Sequence, residues 1–388
     1  MKILRIIPSM NPNQGGPCQG IRNSIPELQK LGITNEVVCL DEPNSEYIGQ
    51  DSFPIHTLGH AKTPLKYHKN LLPWLLANYN NFDIVIVHGL WSYHSYAAIK
   101  GILSYKKDNI DIPKIYVMPH GMLDPYFQKA SSRKLKALRN DIYWKFFENK
   151  VINEADGILF TCEEELLLAR TTFPNYKPKK EINVGYGIQP PPMYRPEMQE
   201  AFVEKVPTWN RSPHLLFLSR IHPKKGVDLL IEAYLKLEKE LDDLPQLIIA
   251  GPGLDEAYGS AMQKLAAQSK NIIFPGMLSG DAKWGAFYES EVFVLPSHQE
   301  NFGIAVVEAL ACAKPVLISN KVNIWREITK GNGGIVKDDT STETYKLLKD
   351  WFTLNNEQKA QMSTDARNVF LEHYTIEQAG KQLFNSIC

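Results

Sequence analysis

Five short apolar runs in the first half of the chain, and five more in the second, each lead into a longer stretch with helical period. That alternation leaves few folds open. Apolar runs of strand length separated by helical segments form parallel strands, because a parallel pair needs a long crossover and the helix supplies it. The first series is KILRIIP (2–8), NEVVCL (35–40), DIVIVHG (83–89), KIYVMPHG (114–121) and DGILFTC (156–162). The second is HLLFLSR (214–220), QLIIAG (246–251), NIIFPG (271–276), VFVLP (292–296) and PVLIS (315–319). The reading is an α/β protein with mostly parallel sheets covered on both faces by helices. With 388 residues the chain exceeds one ordinary core and suits two. Domains are expected over 1–190 and 213–373, facing a cleft. The Pro-rich segment 186–213, without clear periodicity, is expected to be the connection between them. From Tyr374 to Cys388 the spacing is amphipathic and no strand follows.

Charge narrows the partners. Lys plus Arg (43) equal Asp plus Glu (43), so no global field recruits nucleic acid, and any anion preference must be local. The five cysteines, Cys18, Cys39, Cys162, Cys312 and Cys388, are scattered and lack zinc-ligand spacing, which fits reduced thiols. No run approaches membrane-spanning length, and the N-terminal apolar run is too short for a secretion signal. A cytoplasmic protein is expected, with peripheral contact to the inner face of the plasma membrane as its one membrane option.

Ligands of open α/β sheets sit beyond the carboxyl ends of the strands. Gly15 and Gly16 follow the first run and open a helix, where backbone N–H groups and the helix N-terminus suit a phosphate; an ordinary long turn explains them equally well. In SRIHPKKG (219–226), Arg220 ends a strand and Lys225 opens the next helix, a place where cations oppose the helix dipole unless they meet an external anion. A solvated basic turn is the plainer account. His88 and His120 close strands; a lone histidine there is more often structural, and the shaped loop after His120 ranks it above His88. In QENFGIAVVEAL (299–310), Glu300 precedes an Asn-Phe-Gly turn while Glu308 lies in the helix among apolar residues. Carboxylates accept hydroxyl donors well, so this pair suits the diols of a sugar or ribose, and the amides of Asn301, Phe302, Gly303 and Ile304 add donors. Without a ligand, Glu308 is simply a paired or buried acid.

The Glu300-x7-Glu308 block, the Arg220-x4-Lys225 pair, the N-terminal Gly-Gly-Pro loop and the His-Gly strand end together resemble the GT-B glycosyltransferases, in particular the large retaining family GT4. The resemblance implies two Rossmann-like domains, a nucleotide-sugar donor held mainly by the C-terminal one, and a final helix, about 374–388, that packs back on the N-terminal one. It also implies the site roles. Glu308 would bind the donor ribose, and Glu300 with the amides of Asn301 to Ile304 the transferred sugar. Arg220, Lys225 and, from the opposite domain, the Gly15-Gly16 loop would meet the diphosphate. His120 would contact the sugar near the reacting carbon, and Leu278 would lie by the base. Pro17 and Cys18 stand where some of the family carry a further acidic residue, a departure that bears on the acceptor side.

No Asp-x-Asp occurs, so no metal ligand or cofactor is expected, and the leaving diphosphate falls to Arg220, Lys225 and backbone amides. The expected function is metal-independent transfer of a hexose, glucose-type first, from a UDP-sugar to a polysaccharide or lipid-linked glycan. A GDP-mannose donor, a sugar-nucleotide epimerase and a non-catalytic glycan- or nucleotide-binding protein are the alternatives. Segment 131–150 mixes Arg133, Lys134, Lys136, Arg139 and Lys145 with Leu135, Leu138, Ile142, Trp144, Phe146 and Phe147. It reads first as a surface helix with its apolar side on the core, and second as a contact to anionic headgroups.

Overall fold

The computed structural model describes residues 1–130 and 133–388 and divides into two compact units, Met1–Gly187 with Ile376–Cys388, and Ile188–Thr375. Each unit is a parallel α/β sandwich of the Rossmann-like kind. In the first, β1 (Lys2–Ile6), β2 (Thr34–Cys39), β3 (Ile55–Thr57), β4 (Ile84–His88), β5 (Lys114–Met118), β6 (Gly157–Phe160) and β7 (Glu181–Asn183) form one sheet in the order β3-β2-β1-β4-β5-β6-β7. In the second, β8 (His214–Leu218), β9 (Leu247–Ala250), β10 (Ile272–Gly276), β11 (Ser290–Leu295), β12 (Val316–Ser319) and β13 (Gly334–Lys337) run in the order β10-β9-β8-β11-β12-β13. In both sheets the order reverses beside the first strand, which leaves a crevice at the carboxyl ends of β1 and β4, and of β8 and β11.

The ten strands read from apolar runs are present. The three the runs did not reveal, β3, β7 and β13, are edge strands of three or four residues whose side chains are only partly buried. An edge strand lacks the continuous apolar signature of a strand covered on both faces.

Alternation along β1 and β4 sorts side chains to opposite faces of the first sheet. Leu4, Ile6, Val85 and Val87 enter one core, while Ile3, Ile84 and Ile86 enter the other with Leu28 and Leu383. Arg5 and His88 have the parity of this second set, and both are buried. The helix Ile376–Ile387 packs on the helix Gly16–Lys30 within this unit.

The segment 186–213 is a correction to the expected linker. It contains the helix Pro196–Lys205, which buries Met198 and Phe202 and packs on the helix Gly280–Glu289. The packing is close enough that a Cβ on Gly285 would come within 2.1 Å of the Met198 carbonyl oxygen. Met198, Phe202 and Val206 follow the four-residue spacing of one helix face, a signal masked by the prolines around it.

Candidate active-site clusters

In the C-terminal unit the residues singled out from sequence gather at the carboxyl ends of β8 and β11. After β8 the chain passes Arg220 and turns through the short helix Pro223–Lys225 into Gly226. Gly226 has φ 66°, and a Cβ there would come within 2.1 Å of the Pro296 carbonyl oxygen, so only glycine lets this loop lie against the one after β11. The two loops are joined further: the Lys224 carbonyl accepts from the His298 N–H (2.8 Å) and the Ser297 hydroxyl (2.9 Å), and Lys224 Nζ donates to Gln299 Oε1 at 2.8 Å.

This contact brings Lys225 to Glu300. The lysine is buried, and its Nζ forms an ion pair with Glu300 Oε2. The Glu300 backbone is fixed in turn, its N–H donating to the Lys321 carbonyl and its own carbonyl accepting from the Asn323 N–H, both at 2.9 Å. Gly303, also left-handed, caps the helix Ile304–Ala311, and no side chain caps its amides. On that helix Glu308 pairs with Lys283 at 2.8 Å. Arg220 is exposed and makes no ion pair or side-chain hydrogen bond among the described residues. Leu278 is buried beyond the end of β10. Lys283 was not singled out from sequence, because it is brought to Glu308 by packing across 25 residues.

In the N-terminal unit His120 follows β5 with φ 53° and Gly121 with φ 79°, so the chain turns sharply at the strand end. Glu165, on the helix Glu163–Ala169, holds that turn: its Oε1 accepts from the Gly121 N–H at 2.5 Å, and its Oε2 from the Thr161 N–H and hydroxyl at 2.8 and 2.6 Å. His88 Nδ1 lies 2.9 Å from His120 Nε2, and His88 Nε2 lies 3.3 Å from Arg5 Nη1. Arg5 also donates from Nε to Asn35 Oδ1 at 3.0 Å. Burial, with the Arg5 charge second, pushes the His120 imidazole down to about 3. Burial and the neighbouring His120, Arg5 and His94 hold His88 well below the ordinary histidine range. Both rings are neutral at physiological pH. Arg5 and Glu165 escaped the sequence reading, although a charged residue inside the KILRIIP run was a visible irregularity.

Gly15 and Gly16 stand at the start of the helix Gly16–Lys30 as expected, with open space around each α-carbon. The loop before them borders a cavity of about 360 Å³ shared with Asp41, Tyr47, His60 and Lys66. Asp41 is buried and occupied, accepting from the Ser9 hydroxyl (2.6 Å), the Met10 N–H (2.7 Å) and the Tyr47 hydroxyl (3.0 Å). It serves as a brace for the loop.

The basic segment is the helix Lys134–Tyr143, the π-helical turn Trp144–Glu148 and the helix Asn149–Glu154; Ser131 and Ser132 lie outside the described residues. Ala137 and Trp144 face inward, whereas Leu135 (85%), Leu138 (58%), Ile142 (53%) and Phe146 (65%) are exposed. The expectation that its apolar side packs on the core therefore holds for only part of the segment. No helix among the described residues is long and apolar enough to cross a membrane.

Comparison with known proteins places these clusters in a context. The model of the family "Glycosyl transferases group 1" matches residues 198–369, which include Arg220, Lys225, Leu278, Glu300 and Glu308. A D-inositol 3-phosphate glycosyltransferase of Kribbella flavida is 29% identical over 200 residues, 49% of this chain and 46% of the relative. A GDP-mannose-dependent monoacylated alpha-(1-6)-phosphatidylinositol monomannoside mannosyltransferase of Corynebacterium glutamicum is 25% identical over 207 residues, 51% of this chain and 53% of the relative. The chain thus spans about half the length of these curated relatives. Among solved structures, HepE of Anabaena, in complex with UDP and glucose, superposes with a TM-score of 0.73 at 14% identity, covering 100% of this chain and 99% of the other. The fold is that of the GT-B glycosyltransferases, and the C-terminal unit carries the sequence pattern of their group 1 family.

Proposed function

We propose that the protein is a retaining hexosyltransferase that moves a glucose-type sugar from a UDP-sugar to a polysaccharide or lipid-linked glycan acceptor without a metal ion. The observation that carries this reading is the array at the carboxyl ends of β8 and β11. There an unpaired arginine, a buried lysine and two lysine-held carboxylates surround an uncapped helix start. Lys225 spends one of its three donors on Glu300 and retains two for phosphate oxygens. Arg220 offers a planar fork suited to adjacent phosphate oxygens. Glu300 and the amides of Asn301 to Ile304 are assigned to hydroxyls of the transferred sugar, Glu308 to the ribose diol, and the Leu278 backbone to the base. The Gly15-Gly16 loop is assigned to the diphosphate.

In the reaction the bond between the anomeric carbon and the donor phosphate oxygen breaks. The acceptor oxygen forms the new bond on the same face, and its proton passes to the departing phosphate. Arg220 and Lys225 stabilise the charge that develops on that phosphate. His120, neutral at working pH, is assigned a hydrogen bond to the sugar. UDP is preferred over GDP as the donor because a fold neighbour was solved with UDP and glucose. The exposed stripe Leu135, Leu138, Ile142 and Phe146, flanked by Lys134, Lys136, Arg139 and Lys145, fits an anionic bilayer surface and with it a lipid-linked acceptor.

Two measurements test the reading. Thermal shifts against UDP, GDP and their sugars should show stabilisation by UDP and UDP-hexose, about 2.7 kcal/mol at a hundredfold excess over Kd. Transfer should persist in excess EDTA; its loss, with recovery on adding magnesium or manganese, overturns the metal-free mechanism.

A further inference from the structure

The hydrogen-bond chain beneath His120 has a direction. Arg5 can only donate, since a guanidinium has five N–H bonds and no lone pair to offer. Its Nη1 reaches His88 Nε2, so that nitrogen must carry the lone pair. The neutral His88 ring then bears its proton on Nδ1, which faces His120 Nε2 at 2.9 Å. That nitrogen in turn must accept, which leaves the proton of His120 on Nδ1, where no protein acceptor meets it among the described residues. We propose that Arg5 and His88 are positioning residues that fix His120 as the neutral Nδ1–H tautomer, so that its free ring nitrogen presents a donor and never a lone pair.

Three observations support the direction. Arg5 is held from its other side by Asn35 Oδ1, and among the described residues no carboxylate lies against it to compete with His88 for the Nη1 proton. His94, one turn beyond β4, makes the opposite choice: its Nε2 donates to the His88 carbonyl, which leaves its Nδ1 bare. The tautomers of this cluster are therefore set one by one by their partners. The backbone turn at His120 is fixed separately by Glu165 through the Gly121 N–H, so the ring's protons and its position have different determinants. Among the described residues, the charged and titratable groups around the pair are Arg5 from β1, His94 from the helix Tyr93–Tyr105, Glu165 from the helix Glu163–Ala169, and Tyr186, which lines the same small cavity as both rings.

An arginine fully enclosed with no counter-charge against it among the described residues is costly, and its benefit must be sought in what it orders. A donor at His120 Nδ1 suits a hydroxyl or ring oxygen of a sugar, and this catalytic consequence rests on the reading of His120 given above. The tautomer itself does not.

The two can be separated by experiment. Long-range ¹⁵N–¹H spectra of the full chain with labelled histidines report which ring nitrogen carries each proton, independent of any substrate. The wild-type spectrum should show His88 and His120 both protonated on Nδ1 and both still neutral at pH 5.5. His88→Gln keeps the direction of the chain, because its amide oxygen accepts from Arg5 and its amide nitrogen donates to His120. His88→Leu removes it. His120 should remain an Nδ1–H ring in the first variant and shift toward Nε2–H in the second. Turnover should fall about tenfold in His88→Leu with little change in KM, and His88→Gln should recover most of that loss. A wild-type His120 protonated on Nε2, or cationic at pH 5.5, overturns the proposal, as does an unchanged tautomer in His88→Leu. If His88→Leu does not fold, the wild-type spectrum alone decides. Tautomers that behave as stated while His88→Leu turns over like wild type would uphold the relay and remove His120 from the chemistry.

Discussion

In the N-terminal unit a fully buried arginine touches an asparagine and a histidine and, among the described residues, has no carboxylate against it, whereas in the C-terminal unit Lys225 and Lys283 each lie against a glutamate. The first cluster has neutral rings whose proton positions are set by a donor that cannot release its own. The second has opposite charges, Lys225 buried and Glu300, Lys283 and Glu308 partly open to solvent, which can be shared with an incoming anion or diol. The difference separates two tasks, the orientation of neutral hydrogen bonds and the stabilisation of charge. Burial serves the first, because a low dielectric keeps imidazoles uncharged. Paired charges serve the second, because they stand ready where negative charge develops.

The largest effect should come from the charged cluster. Arg220→Ala and Lys225→Ala should each lower turnover by about 10²–10³, and the double variant should lose less than the product, since both residues serve one developing charge. Glu300→Gln should likewise act on turnover. If His120→Ala costs as much as Arg220→Ala, the division of tasks fails.

The next test uses pH and stays within the N-terminal unit. Burial raises the Glu148 carboxyl to about 7, so its folded form binds a proton more tightly than its unfolded form. Stability from this group is full below about 4.5 and is lost as pH rises toward about 7. Glu148→Gln, which keeps an oxygen for the Trp91 N–H and the Ser95 hydroxyl, should therefore gain up to about 3 kcal/mol at pH 8 and nothing at pH 4. The histidines have the opposite sign. Burial lowers His94 to about 4 and His120 to about 3, so their contribution is full above about 6.5 and falls as pH drops below it. Urea midpoints from pH 4 to 8 would resolve both, and a pH-independent gain in Glu148→Gln would show that its carboxyl is not perturbed.

A smaller effect should distinguish the two glutamates of the charged cluster. Glu308→Gln should raise the donor KM about tenfold with turnover nearly unchanged, since a ribose contact remote from the reacting carbon contributes equally before and during reaction. Collapsed turnover at unchanged KM would move Glu308 to the reacting end.

Smallest is the surface effect. The protein should bind vesicles containing anionic lipid and be released by salt, because exposed charges are screened over about 10 Å at 0.1 M. Leu138→Ser with Ile142→Ser should weaken that binding, and equal partitioning to neutral vesicles would leave the basic stripe without a role in it.

The sequence by itself determined the parallel α/β class, the ten strands that are apolar runs, the loops on which Arg220, Lys225, Glu300 and His120 stand, and the helix that carries Glu308. Those signals are local: a strand buried on both faces must be an apolar run, and a strand-to-helix turn must be built from glycines and polar residues. Only the tertiary structure decided which charge meets which. Lys225 reaches Glu300 across 75 residues, and Arg5 reaches His88 across 83. It also decided that 196–205 is a helix and that three short edge strands complete the sheets. Periodicity records whether a side chain faces a core, but it carries no record of the partner that a folded sheet brings to it from another part of the chain. The tautomer of His120 depends wholly on such partners, and for that reason it could not be read from the residues around it.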